Sequence, residues 1–230
     1  MIGALGERYR LPPPAATRLE TLVECVARDP TAPTTVTDPG AILRDHVADS
    51  LVALQLPVVR AATSIADLGS GAGFPGLPLA IVLPAARVSL VESNGRKCAF
   101  IGRAIEACDA RNATAVQARA ESWAAGLGAC DLVVARALAP LGVVAEYAAP
   151  LLRAGGSLVA WRGRRDPEDE AAAARAAADL GMEPRPPIHV EPYPGALHRH
   201  LHLMVKVAPT PDRFPRRPGM ARKRPLGQTV

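Results

Sequence analysis

Aromatic side chains are scarce, only 3% of the 230 residues. A protein that grips single-stranded bases mainly by stacking needs several aromatic platforms, so any nucleic-acid contact here must lean on shape and on phosphates. The four cysteines, at positions 25, 98, 108 and 130, form no C-x-x-C pair and no His/Cys cluster at zinc-ligand spacing. They are expected as free, buried thiols in a reducing compartment, with no structural metal. No run reaches the about 18 uncharged apolar residues of a membrane span, and the leading MIGALGERYRLPPP interrupts any signal-peptide core with charge. A cytoplasmic protein without a membrane partner is expected. H-E-x-x-H, a P-loop lysine and G-x-S-x-G are all missing, which removes the usual starting points for hydrolase and NTPase chemistry.

Charge of either sign is nearly balanced until the end of the chain. Net charge is +5, and residues 209–230 hold all of it: Arg213, Arg216, Arg217, Arg222, Lys223 and Arg224 stand against the single acid Asp212. Interleaved prolines and glycine argue against a helical face there. Two readings stand, an extended arm that neutralises phosphates or a solvated solubility tail.

Before residue 61 the pattern is helical. Leu19, Leu22, Val23 and Val26 recur at helical spacing in residues 15–28, and Ile42, Val47, Leu51 and Leu54 do so in residues 41–56, with a Pro/Thr-rich loop at 29–40 between them. From residue 61 to 208, short apolar runs alternate with helical segments, the signature of a parallel sheet covered on both faces. Strands are predicted at 64–68, 87–91, 113–117, 131–135, 156–161, 187–191 and 200–207, and helices near 76–83, 95–107, 140–152 and 167–180. No helix intervenes between the last two strands, which should therefore pair antiparallel at one edge. By analogy alone, seven strands so arranged match the Rossmann-like α/β fold of class I S-adenosylmethionine-dependent methyltransferases, preceded here by a short N-terminal helical segment, residues 1–60.

The stretch IADLGSGAGFPGLPLAI, residues 65–81, places Gly69, Gly71, Gly73 and Gly76 between the first strand and the next helix. Such a turn brings backbone N–H groups to a ligand at the carboxyl edge of the sheet. Read literally it contains G-x-G-x-x-G, so a dinucleotide must be weighed. Asp67 opposes that reading, because its charge repels a pyrophosphate and attracts the ammonium or sulfonium of S-adenosylmethionine. Pro75 and Pro78 remove donors that a phosphate would need. Glu92, at the tip of the second strand, is placed to accept hydrogen bonds from ribose hydroxyls, or is an ordinary surface carboxylate.

The acceptor can be narrowed. After the fourth strand ARALAPL replaces the D/N-P-P-Y/F tip used on exocyclic amines. Cys130 lies at the wrong end of that strand to form a covalent adduct. Direct in-line transfer to an acceptor needing little activation remains.

The stretches RDHVADSL, DLGSGAGFPGLPLAI, VESNGRKCAFI, QARAES, DLVVARALAPL, LLRAGGSLVA with WRG, and FPRRPGMARKRPL occur in that order between about residue 37 and residue 227. Together they resemble the RsmG methyltransferases (glucose-inhibited division protein B) of bacterial small-subunit ribosomal RNA. The resemblance implies methyl transfer from S-adenosylmethionine to N7 of a guanine in the decoding-region loop of 16S rRNA, with the small ribosomal subunit as partner. It also implies that Gly69, Phe74, Ala120, Glu121 and Arg136 belong to the cofactor site, beside Asp67, Gly71 and Glu92. No general base is implied, since guanine N7 already carries a lone pair. Other acceptors, and a non-catalytic ribosome-binding relative, are the alternatives. His46, Asp49 and Ser50 are shared with the family at i, i+3 and i+4, one face of a helix that either meets the active site or merely packs. Two departures are visible: ARDPTAPTTVTDP replaces the family's tryptophan- and asparagine-containing pattern, and Arg162-Gly163 replaces lysine-glycine.

Overall fold

A computed structural model describes residues 1–228 of the chain. The last two residues of the tail expected over 209–230 lie outside the described residues.

The chain opens with helices α1 (Ile2–Tyr9) and α2 (Ala15–Arg28). The α2 stripe is buried as its spacing predicts. Helix α1 is not foreshadowed by any strong periodicity, since Gly3 and Gly6 dilute it, yet Ile2, Leu5 and Tyr9 are all buried. The helix expected over 41–56 is broken into pieces. α3 (Pro39–Ile42) widens into a π turn, Leu43–Ala48, and resumes as α4 (Asp49–Leu51), followed by a tight 3-10 turn, Val52–Gln55. Pro57 then forces Leu56 into extended backbone and starts α5 (Pro57–Arg60).

Eight strands follow in one sheet: β1 (Ser64–Leu68), β2 (Arg87–Glu92), β3 (Ala113–Gln117), β4 (Cys130–Arg136), β5 (Leu152–Arg162), β6 (Met182–Pro184), β7 (Ile188–His189) and β8 (His200–Lys206). Their order is β3-β2-β1-β4-β5-β8-β6, with β7 also paired to β8. The first five run parallel, and β8 is antiparallel to β5. The single edge strand expected at 187–191 is instead an interrupted one. β6 pairs with 204–206 and β7 with 200–201 of the same β8. Pro184 ends β6 and Pro186 and Pro187 lie in the gap that follows, where missing N–H donors break the ladder.

Helices α6 (Gly76–Val82), α7 (Gly95–Ala107), α8 (Leu141–Ala148) and α9 (Pro167–Asp179) cover the sheet, and a short α10 (Met220–Lys223) ends the described chain. Asn94 and Asp166 cap α7 and α9 through their side-chain oxygens. One core layer joins residues of α1 to α7 on one face of the sheet, including Leu19, Ile42, Leu77 and Phe100. The other joins α8, α9 and the tail, including Tyr147, Phe214 and Ala221. The tail is therefore no extended arm: Phe214 and Ala221 are buried in a core, and they carry the arginines onto the body. Three of the thiols, Cys98, Cys108 and Cys130, are buried and Cys25 is half-buried, all free. Burial pushes Cys108 up to about 12 and Cys130 up to about 11, which keeps both protonated. No helix among the described residues is long and apolar enough to cross a membrane.

Candidate active site

The strand order reverses between β1 and β4, because β1 has β2 on one side and β4 on the other. Loops leaving the carboxyl ends of these two strands must diverge, which opens a crevice there. The glycine loop leaves β1 and Arg136 ends β4, so the sheet itself brings them together.

Gly69, Gly71 and Gly73 all take positive φ, 69°, 58° and 90°, a conformation that strains residues with a Cβ. The loop is tied down by two carboxylates. Glu92 accepts from Gly71 N–H at 3.2 Å and from Asn94 N–H at 2.8 Å, joining the loop to the start of α7. Asp67 Oδ2 accepts from Gly76 N–H at 2.9 Å, and a Cβ on Gly76 would stand 2.6 Å from that oxygen. Asp67 is wholly buried, and its Oδ1 has no hydrogen-bond partner among the described residues. Loss of solvent raises its carboxyl to about 6. Asp67, expected to attract the cationic part of a ligand, lies beneath the loop, where it is held by the N–H at the start of α6.

Ala137, next after Arg136, adopts a left-handed φ of 52°. This turn separates its neighbours. Leu138 covers Gly69, where an added Cβ would come within 2.5 Å of Leu138 Cδ1. On that side lies a cavity of about 240 Å³ lined by Gly69, Ala120, Glu121, Leu138, Tyr147 and Arg222. On the other side a cleft of about 770 Å³ is lined by residues that include His46, Asp49, Arg136, Trp161, Arg162 and Arg199.

Arg136 is gripped from several directions. Its Nη1 donates to Asp49 Oδ2 at 2.8 Å and to Asp45 O at 3.2 Å. Its Nη2 lies 3.3 Å from His46 Nδ1, and its Cζ sits 5.5 Å from the centre of the Phe74 ring. Because arginine can only donate, His46 Nδ1 must accept, which puts the ring proton on Nε2, 3.1 Å from Thr34 Oγ1. Burial first, and the Arg136 charge second, hold the His46 pKa below its ordinary value. The neutral imidazole packs on Phe74 with ring centres 4.9 Å apart.

Asp49 is itself fixed at both ends. Its backbone carbonyl accepts from Trp161 Nε1–H at 2.7 Å, and Arg199 Nε stands 3.4 Å from Oδ1, an ion pair without a hydrogen bond. Ser50, expected on the same face, is buried and donates back to His46 O at 2.6 Å. Of the three helix residues, His46 and Asp49 reach the crevice, while Ser50 satisfies the backbone of the π turn. Arg162 uses its fork structurally, one arm on Ala139 O at 2.8 Å and the other on Asp169. Asp169 also accepts from Leu141 N–H, so this departure from lysine-glycine fastens β5 to α8 and α9.

Thr34, Trp161, Arg199 and Tyr147 were not singled out from the sequence, and Arg222 was named there only as one of the tail's charges. Only Trp161 left a trace, inside the WRG stretch. Thr34 comes from the segment that replaces the family's pattern, so that segment still supports the site.

The residues of the crevice fit a nucleoside carrying a sulfonium better than one carrying a pyrophosphate. Near the glycine loop stand the carboxylates Glu92 and Glu121, acceptors suited to hydroxyl and amine donors, with the cations Arg119 and Arg222 on the outer lining, and the orphaned carboxylate oxygen of Asp67 beneath the loop disfavours an anion there.

Residues 29–186 match the sequence model of the family described as rRNA small subunit methyltransferase G. Proteins named ribosomal RNA small subunit methyltransferase G are similar over most of the chain. The one from Chloroflexus aggregans is 43% identical over 84% of this chain and 82% of its own, and the one from Rubrobacter xylanophilus is 41% identical over 82% and 75%. Solved structures share the fold: a SAM-dependent methyltransferase from Aquifex aeolicus, with TM-score 0.58, 13% identity and coverage of 82% and 98%, and fibrillarin from Aeropyrum pernix with natively bound S-adenosyl-L-methionine, with TM-score 0.55, 18% identity and coverage of 69% and 72%.

Proposed function

Because the chain belongs to the rRNA small subunit methyltransferase G family, we propose that it methylates N7 of a guanine in the decoding-region loop of 16S rRNA, in the cytoplasm, with S-adenosylmethionine as donor. The observation that carries this reading is the clamped Arg136 at the switch point, flanked on one side by the glycine loop and on the other by an open cleft.

Gly69, Ala120 and Glu121 would hold the nucleoside end of the cofactor, with Glu92 fixing the loop that approaches it. When bound, S-adenosylmethionine supplies an electrophilic methyl group on a sulfonium. Three of the five N–H donors of Arg136 are engaged by protein. The two that remain match a carboxylate or a phosphate oxygen pair, so Arg136 orients whichever anion enters. Phe74 and neutral His46 give that guanidinium a flat, rigid seat. Guanine N7 offers an in-plane lone pair and no proton, so no residue has to act as a base. The protein's contribution is proximity, alignment and exclusion of water.

The acceptor cleft is lined by charges of both signs: the acids Asp45, Asp49, Asp169 and Glu170 are held in ion pairs and Asp166 caps α9, while Arg164 and Arg199 stand on the same lining, and Arg213, Arg217 and Lys223 are exposed on the docked tail. Phosphate contacts of this kind suit a folded rRNA and make few demands on aromatic stacking. The test is methyl incorporation from labelled S-adenosylmethionine into 16S rRNA lacking the modification, as naked RNA and as 30S subunits, followed by chemical cleavage at N7-methylguanine. One modified guanine in the decoding-region loop is expected. Absence of incorporation into both forms overturns the reading.

A further inference from the structure

The tail does more than coat the surface, because it ends against the small cavity. Gly219 N–H donates to Glu121 Oε1 at 2.9 Å across 98 residues of chain. Arg222, three residues later, donates to Leu138 O at 2.8 Å and lines the cavity together with Glu121 and Tyr147. Behind these contacts the segment is anchored. Arg216 pairs with the buried carboxylate of Glu146 through two hydrogen bonds and also reaches Arg224 O at 2.9 Å. Phe214 and Ala221 are buried in the core beneath α8. Charge-bearing tails that only keep a protein soluble have no reason to bury two apolar residues and a bidentate ion pair.

We propose that the C-terminal segment is a wall of the nucleoside pocket, so that docking of the tail and binding of the adenosine end of the cofactor strengthen each other. This rests on the reading of that pocket as the cofactor site. Glu121 is the shared element. No other hydrogen bond to it is present among the described residues, so Oε2 is left for a ligand amine or hydroxyl. By holding Oε1, the Gly219 N–H fixes the carboxylate's orientation before the ligand arrives, which removes an ordering cost from binding. The coupling is reciprocal: a ligand that immobilises Glu121 also immobilises Gly219 and the residues after it. Leu138 transmits the same effect, since Arg222 holds its carbonyl while its side chain covers Gly69. The tail's exposed Arg213, Arg217, Lys223 and Arg224 thereby face the solvent beside an organised pocket.

The inference is tested on the full-length protein, because truncation would open the core around Phe214 and strand Glu146 without its partner. Tryptic cleavage after Arg222 and Lys223 is timed by mass spectrometry with and without saturating S-adenosylhomocysteine, adenosine or methionine. Cleavage is expected to slow at least fivefold with the first two and not with methionine. In parallel, the affinity of Arg222→Ala for S-adenosylhomocysteine is measured by calorimetry, with unfolding of the ligand-free variant as control. The dissociation constant should rise about tenfold while the ligand-free melting temperature stays close to that of the wild type. Unchanged cleavage under saturating S-adenosylhomocysteine, or a wild-type dissociation constant in Arg222→Ala, overturns the proposal alone. Failure of the wild-type chain to bind S-adenosylhomocysteine overturns it together with the pocket assignment.

Discussion

Asp49 and Arg136 lie 87 residues apart in the chain and 2.8 Å apart in the fold, joined by an ion pair whose side chains are 7% and 16% exposed. One comes from the irregular helix before the sheet, the other from the tip of β4. Their pairing ties the leading helices to the catalytic edge.

Arg136→Ala leaves the buried Asp49 with only the longer, half-exposed ion pair to Arg199 for compensation, which should cost about 3 kcal/mol. Methyl transfer should fall at least a hundredfold. Arg136→Lys should recover stability better than activity, because one ammonium cannot meet Asp49, Asp45 O and His46 while presenting two further donors. Urea unfolding and labelled-methyl assays on the two variants check this. Near-wild-type turnover in Arg136→Ala would remove Arg136 from the mechanism.

Asp67 sets a pH dependence of unusual sign. Its carboxyl is raised from 3.8 to about 6 by burial. Between those values the folded protein keeps a proton that the unfolded chain has released. This contribution to stability is therefore whole below about 3.8 and is lost as pH rises through about 6, by about 3 kcal/mol in all. Asp67→Asn, which keeps an acceptor for Gly76 N–H, should flatten the stability profile over that window and be more stable than wild type at pH 8. Unfolding free energies at a series of pH values decide it.

His46 acts in the opposite direction. With its pKa below 6.5 in the folded state, the unfolded chain binds the proton more readily, so stability declines as pH falls below about 6.5. The activity consequence follows from the hydrogen bond: protonation of Nδ1 removes an acceptor from Arg136 and sets two cations side by side. The acid limb of the pH–rate profile should therefore move or vanish in His46→Gln. An identical acid limb in the variant would show that His46 does not control it.

Gly76→Ala places a methyl group 2.6 Å from Asp67 Oδ2. The helix α6 or the buried carboxylate must shift, a strain of about 2 kcal/mol. Thermal unfolding should show the loss, and Asp67→Ala in the same chain should relieve part of it.

The tail separates two kinds of arginine. Replacing the exposed Arg213, Arg217, Lys223 and Arg224 with alanine should lower the slope of log affinity for rRNA against log salt by about 3, with little change in stability. Arg216→Ala should instead destabilise the fold, since Glu146 is 3% exposed and would be left without its partner. Filter binding across a salt series and denaturant titrations distinguish the two sets.

Much of the fold was legible because parallel strands buried on both faces read as apolar runs, and the helices between them as stripes. The positions 64–68, 95–107 and 113–117 agree with β1, α7 and β3 to the residue. The interrupted edge strand was half-hidden, because prolines erased its pattern. Helix α1 was invisible, because two glycines diluted its periodicity. At the site, His46 and Asp49 were recognisable only as one face of a helix. The partner of that face came from a distant strand, and no local pattern encodes such a pairing.

Local physics thus determined, from the sequence alone, most of the segments that pair as strands or wrap as helices, and that a glycine turn leaves β1 at the carboxyl edge. These follow from side-chain periodicity and from the backbone freedom of glycine. Only the tertiary structure decided where the charges go. Asp67 went under the loop, Arg162 into a brace, and the cationic tail onto the body beside Glu121. Each of those outcomes depends on desolvation and on partners brought from far along the chain, and these exist only once the sheet has assembled.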